Sequence, residues 1–282
     1  MIYLLLAIFS SVMVSVTMRL STNKVSGDIS MLATNYLMCV AIAGVSIGSQ
    51  QLFPLAADGL GQTLLFGGIN GFLYAFSFIL FQMNVQRNGV VLSATFMKLG
   101  LLVPMVLSIF LFQEIPTFLQ LIGFSIAIVA IIMINSVSQE EKTEANFTWG
   151  LILLLLAGGC GDAMSKVFEE MGNPLLAAQF LFYTFLVALL FCLVLVVKRK
   201  EKIGKNEICY GFLVGIPNYF SAKFLLKSLS DISAVIAYPT YSVATLFIVT
   251  VIGVVFFHER LMQRQWLALG LILIALILLN IV

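Results

Sequence analysis

The chain has 282 residues, 61% of them hydrophobic and 10% charged, with a net charge of +2 and a mean hydropathy of +1.09. No water-soluble core needs that apolar fraction, so the composition is that of an integral membrane protein and excludes a soluble enzyme or a nucleic-acid-binding domain. Cys39, Cys160, Cys192 and Cys209 lack CxxC spacing, which points to neither a metal site nor a disulfide framework.

A helix crosses the hydrocarbon core with about 20 apolar residues. Such runs lie at 2–21, 31–53, 62–83, 89–112, 117–136, 148–168, 174–197, 208–228, 232–257 and 264–282, predicting an all-α protein of ten transmembrane helices. The first begins at Ile2 with no basic leader or small-residue cleavage site, so no cleaved signal peptide is expected. Eleven of the 15 basic residues fall in odd-numbered connectors: Arg19, Lys24, Arg87, Lys142, five at 198–205, Arg260 and Arg264. The positive-inside rule then puts those connectors in the cytoplasm and both termini outside.

In chain order, Arg19 closes the first span; it either reaches the headgroups or serves as a gate. Asn35 opens the second and needs a partner from a neighbouring helix or a wet cavity. In the third, Gly67, Gly68 and Gly71 allow close helix approach, and Asn70 and Tyr74 share one face four residues apart. Lys98 sits ten residues into the fourth span, too deep to reach either surface, and requires protein or water around it and a partner. Pro104 is expected to kink that helix. Asp162 is the sole acidic residue inside a predicted span. It pairs with Lys166 four residues on, or with Lys98 across a cavity, or serves as a proton or cation coupling site. The eighth span carries Asn218 and Tyr219, and also Lys223, for which reaching the surface is the simpler role. The ninth carries Tyr238, Pro239 and Tyr241, an interruption of the kind tolerated where helices line a cavity.

Shifting the sequence by 145 residues superposes Phe112 on Phe257, Glu114 on Glu259, Gln120 on Gln265 and Asn135 on Asn280, without gaps. Tyr74 falls on Tyr219 in the same register. Apolar matches are cheap between leucine-rich segments, but polar ones are not, so the chain reads as two copies of one unit, 1–145 and 146–282. Five spans per copy is an odd number, so the second copy enters the membrane inverted. Glu114 and Glu259 sit at corners where each suits the N-terminal dipole of the following helix.

Ten spans in two halves, with Phe112…Glu114…Gln120…Gly123 and Phe257…Glu259…Gln265 at the corners and Ser165-Lys166 in the sixth span, resemble the drug/metabolite transporter superfamily, EamA type. That family usually has glycine before each corner glutamate, where this chain has Gln113 and His258. The resemblance implies a secondary transporter, an exporter or exchanger working by alternating access at a midplane site, without cofactor, nucleotide or metal. It also implies cytoplasmic termini, the reverse of the basic-residue count. The candidate substrate residues are Lys98, Asn70, Tyr74, Asn218, Tyr219, Tyr238 and Tyr241, with Asp162 and Lys166 for coupling or ion pairing and Arg19 and Asn35 as gates. Three lysines against one aspartate within the spans favour an anionic metabolite such as an amino acid or organic acid. A tyrosine-lined site for cationic or aromatic compounds is the alternative. An intramembrane enzyme or lipid-handling protein would need a catalytic pair, and the spans contain none; no catalytic residue is assigned. A monomer in a bacterial inner membrane, carrying a small-molecule substrate and a coupling proton or cation, completes the expectation.

Overall fold

In hydrocarbon no water is present to take up backbone N–H and C=O groups, so uninterrupted apolar runs resolve as helices. The structure, a computed structural model, describes residues 1–22, 24–48, 51–88, 90–135, 148–258 and 261–281. Glu259, Arg260 and Lys142 lie outside them, as does the side chain of Asn135. Among the described residues every regular element is helical: α1 Ile2–Ser21, α2 Asp28–Ile47, α3 Leu60–Asn88, α4 Val90–Leu99, α5 Leu102–Leu111, α6 Phe118–Asn135, α7 Thr148–Met171, α8 Ala177–Arg199, α9 Lys205–Leu229, α10 Ala234–Phe257 and α11 Gln263–Asn280, with a 3₁₀ turn at Pro174–Leu176.

Among the described residues eight helical segments are long and apolar enough to cross a membrane, where the sequence predicts ten. The two others have separate reasons. Phe118–Ile134 is apolar but shorter, and α9 is 25 residues long but diluted by Lys205, Glu207, Lys223 and Lys227. Large apolar side chains such as Leu5, Phe9 and Phe110 are exposed, as a lipid-facing surface requires. Trp149 and Trp266, both exposed, stand in the first turns of α7 and α11, suited to a membrane interface.

The fourth predicted span breaks, but not where proline alone suggests. α4 stops at Leu99 and α5 starts at Leu102, and Val103 N–H bonds the Gly100 carbonyl at 2.9 Å. Pro104 lies in the first turn of α5, where a missing N–H costs no hydrogen bond, while its ring excludes the carbonyl four residues back from a helical path. That residue is Gly100. By contrast α10 runs unbroken through Pro239, so only one of the two expected interruptions is a break in the helix.

The chain forms two compact units. The first comprises Met1–Ala75 and Met164–Ser230, the second Phe76–Ala163 and Asp231–Val282; α3 and α7 run through the division. Within the first, α9 packs on α1 and α2, and α2 also packs on α8. With no hydrophobic drive between helices in lipid, close approach depends on small residues. At Gly215 of α9 an added Cβ would come within 2.7 Å of the Asn35 carbonyl on α2, and Gly67 of α3 similarly meets the Cβ of Tyr183 on α8 at 2.9 Å. The expected role of Gly67 and Gly71 in close approach therefore holds, while Gly68 faces open space.

Within the second unit α6 packs on α11, and α10 on α5, α6 and α11. Its core includes Leu101, Met105, Ile131, Val243 and Ile272. The corners before α6 and α11 share a capping device. Gln120 Oε1 accepts the Thr117 N–H at 2.9 Å, and Gln265 Oε1 accepts the Met262 N–H at 3.0 Å. Gln113 and His258, where the resemblance implies glycine, both take left-handed backbone with φ of 56° and 53°. Glu114 departs from expectation. Its carboxylate accepts the Val235 N–H at the start of α10, at 3.2 Å, and α6 is capped by Thr117 instead, whose Oγ1 accepts the Gln120 N–H at 3.3 Å.

Candidate functional site

In the first unit the close approach of α9 to α2 brings two predicted residues together. Asn218 Nδ2 donates to Asn35 Oδ1 at 3.2 Å and lies 3.8 Å from Cys39 Sγ, whose thiol donates to the Gly215 carbonyl at 3.3 Å. Asn35 and Cys39 are buried. The absent side chain at Gly215 lets these groups meet, so the glycine and the polar cluster belong to one design.

Asn70 reaches α8, its Nδ2 3.5 Å from Thr184 Oγ1, and its buried Oδ1 has no hydrogen-bond partner among the described residues. Both neighbours of the Phe185 ring that the sequence singled out are in place. Tyr74 and Tyr219 lie 6.5 and 6.2 Å from it between centroids, and Tyr36 lies 6.2 Å away as well. The offset of 145 residues pairs Tyr74 with Tyr219, and packing sets both against one ring. Arg19 is exposed in the last turn of α1.

Lys166 is buried, and its ion pairs on α7 are not with Asp162, one of the partners that spacing allowed. Its ammonium holds Glu169 at 2.8 Å and Glu170 at 2.6 Å. The sequence ended this span at 168, whereas α7 continues to Met171 and so brings both glutamates onto the turn that Lys166 faces. A cavity of about 620 Å³ opens beside them, where α2, α7 and α9 end. It includes Tyr219 and Lys223 but also Glu169 and Lys227, which sequence reasoning passed over. Their signal was the i, i+3 spacing of Lys166 and Glu169 and the i, i+4 spacing of Lys223 and Lys227.

In the second unit the break between α4 and α5 meets α7. An added Cβ at Gly159 would collide with the Gly100 carbonyl and with Val103 Cγ2, so this crossing admits only glycine. Lys98 lies two residues before Gly100, and Asp162 three after Gly159. Tyr238 is buried, with its hydroxyl donating to the Asp162 backbone carbonyl at 2.6 Å. Tyr241 is half-buried. Thr240, between the two tyrosines, accepts from Asn280 Nδ2 at 3.2 Å. Lys98 and Asp162 thus flank one helix crossing, and Tyr238 is tied to it through the Asp162 backbone.

Residues 148–281 match a family described as the EamA-like transporter family. A protein of Haemophilus influenzae (strain ATCC 51907 / DSM 11121 / KW20 / Rd), described as uncharacterized, is 22% identical over 273 residues, 94% of this chain and 93% of its own. A protein of known crystal structure aligns over 99% of this chain and 98% of its own, with a TM-score of 0.73 at 14% identity. At that identity the likeness speaks for the fold alone.

Proposed function

We propose, from the match of residues 148–281 to the EamA-like transporter family, that the chain is a secondary transporter of that family, an exporter or exchanger of a small polar metabolite. It is a multi-pass membrane protein. In this reading α4 and α5 together make one crossing and α6 and α9 complete ten, arranged as inverted repeats over 1–145 and 146–282. Support comes from paired details at one offset: left-handed backbone at Gln113 and His258, the same cap from Gln120 and Gln265, and Tyr74 and Tyr219 on one ring. Inverted repeats of this kind place a substrate near the midplane between them and expose it to each side in turn.

The single observation that carries the substrate reading is Lys98 beside a broken helix, on the same crossing as Asp162. A lysine at that depth marks a solute path. Lys98 is the ligand for an anionic group, Asp162 its counter-charge and the coupling site for a proton or cation. Asn70, Asn218, Tyr74, Tyr219, Tyr238 and Tyr241 supply polar and aromatic contacts, and Arg19 and Asn35 act as gates. The substrate is an amino acid or organic acid, and the protein works as a monomer in a bacterial inner membrane. The aromatic group around Phe185 favours a second reading, a cationic or aromatic solute held by cation–π contact.

Counterflow in proteoliposomes, with amino acids, organic acids and organic cations offered in turn, tests both. Movement of an anionic solute that Lys98→Met abolishes supports the first reading. Movement of cations alone, unchanged in Lys98→Met, supports the second, and movement of no solute would sink both.

A further inference from the structure

The cavity of about 620 Å³ in the first unit falls within the span of about 300–1,000 Å³ usual for small-molecule sites. Its walls are mostly apolar, with Ile47, Phe168, Leu175, Leu181 and Leu226 among them. Three charged side chains reach it: Glu169, Lys223 and Lys227. Lys166 is shared by Glu169 at 2.8 Å and Glu170 at 2.6 Å, so that trio keeps one negative charge, and the two lysines outweigh it.

Neither lysine has a carboxylate within 4 Å among the described residues. Lys223 lies 5.7 Å from the centroid of Tyr219 and Lys227 lies 4.3 Å from that of Tyr3. A ring face attracts an ammonium but accepts hydrogen bonds poorly, so most of the three N–H donors on each remain for another partner. The two sit four residues apart on α9, neighbours on one face whose charges repel until something negative lies between them. Among the described residues the Tyr219 hydroxyl makes no well-formed hydrogen bond, although Ser46 in the same wall is close enough to act on it.

We propose that this cavity binds an organic anion that joins a carboxylate or phosphate to an apolar body, with Lys223 and Lys227 as the ligands of the charged end. Two sources share that chemistry: a free carboxylate in solution and the headgroup of an anionic lipid with its chains along the apolar wall. The proposal goes beyond the transport reading and uses none of the residues around Lys98, so either can fail while the other stands.

The test is thermal stability of the purified full-length chain. One arm adds benzoate or hexanoate in detergent, with benzyl alcohol as the neutral control. The other compares nanodiscs of phosphatidylcholine with and without phosphatidylglycerol. Binding to the folded state raises Tm by mass action. A saturable rise in the first arm assigns the site to free carboxylates, and a rise in the second arm alone assigns it to anionic lipid. In either case Lys223→Gln with Lys227→Gln should weaken the response by at least about tenfold. Lys223→Arg with Lys227→Arg, which keeps the charge, should retain it. No rise in either arm, or a double glutamine variant that responds like the parent, would overturn the proposal.

Discussion

The Glu114 carboxylate accepts the backbone N–H of Val235 at 3.2 Å, tying the corner after α5 to the first turn of α10. The first N–H groups of a helix have no partner within it, and a carboxylate there satisfies one while favouring the positive end of the dipole. Glu114→Ala should therefore lower stability by about 1 kcal/mol. Glu114→Gln keeps an acceptor oxygen and should lose less. Thermal unfolding of the two variants side by side checks the order; equal losses would count against the cap.

Gln113 and His258 hold φ of 56° and 53°, a region costly to any residue with a Cβ. Glycine carries no such cost but gives up more freedom on folding. The balance predicts that Gln113→Gly and His258→Gly each stabilise by roughly 0.5–1 kcal/mol, seen as a higher Tm. A fall in Tm for both would show that their side chains contribute more than their backbones cost.

At the α4–α5 break, Gly159 faces the Gly100 carbonyl with no room for a methyl, while its neighbour Gly158 meets nothing within 4 Å. Gly159→Ala should overpack the crossing and destabilise by about 1–3 kcal/mol. Gly158→Ala should be neutral or slightly stabilising, since alanine is the better helix former. The pair is its own control, because both changes add the same methyl to the same helix.

Glu207, in the first turn of α9 ahead of the apolar run, accepts the Ser26 N–H at 2.9 Å and the Gly204 N–H at 3.0 Å. These bonds, the Ser26 one foremost, hold its carboxyl below the ordinary value of 4.5. Its folded value lies below its unfolded one, so its stabilisation is complete above about 4.5 and is lost as pH falls through the folded value. Melting temperature measured downward from neutral pH should drop in that acid window. In Glu207→Gln the drop should shrink and stability at neutral pH should fall. A variant with an unaltered acid limb would assign the loss to other carboxylates.

The apolar runs alone determined that the chain is helical and lies in a membrane, because backbone groups in hydrocarbon have no other way to be satisfied. The offset that pairs Gln120 with Gln265 was legible too, and both glutamines perform the same cap. Such caps depend on neighbours within three residues, a distance over which sequence and structure say the same thing. What lay further apart was decided by packing. Sequence offered Asp162 by spacing as one partner for Lys166, but the helix continues to Met171 and supplies Glu169 and Glu170. It aimed Glu114 at the following helix, but the corner sits against α10. The meeting of Asn218 with Asn35, and of Tyr74 and Tyr219 around Phe185, likewise depends on which helix faces approach. That choice is made by glycines such as Gly215 and Gly67, whose missing side chains matter only once a second helix lies against them.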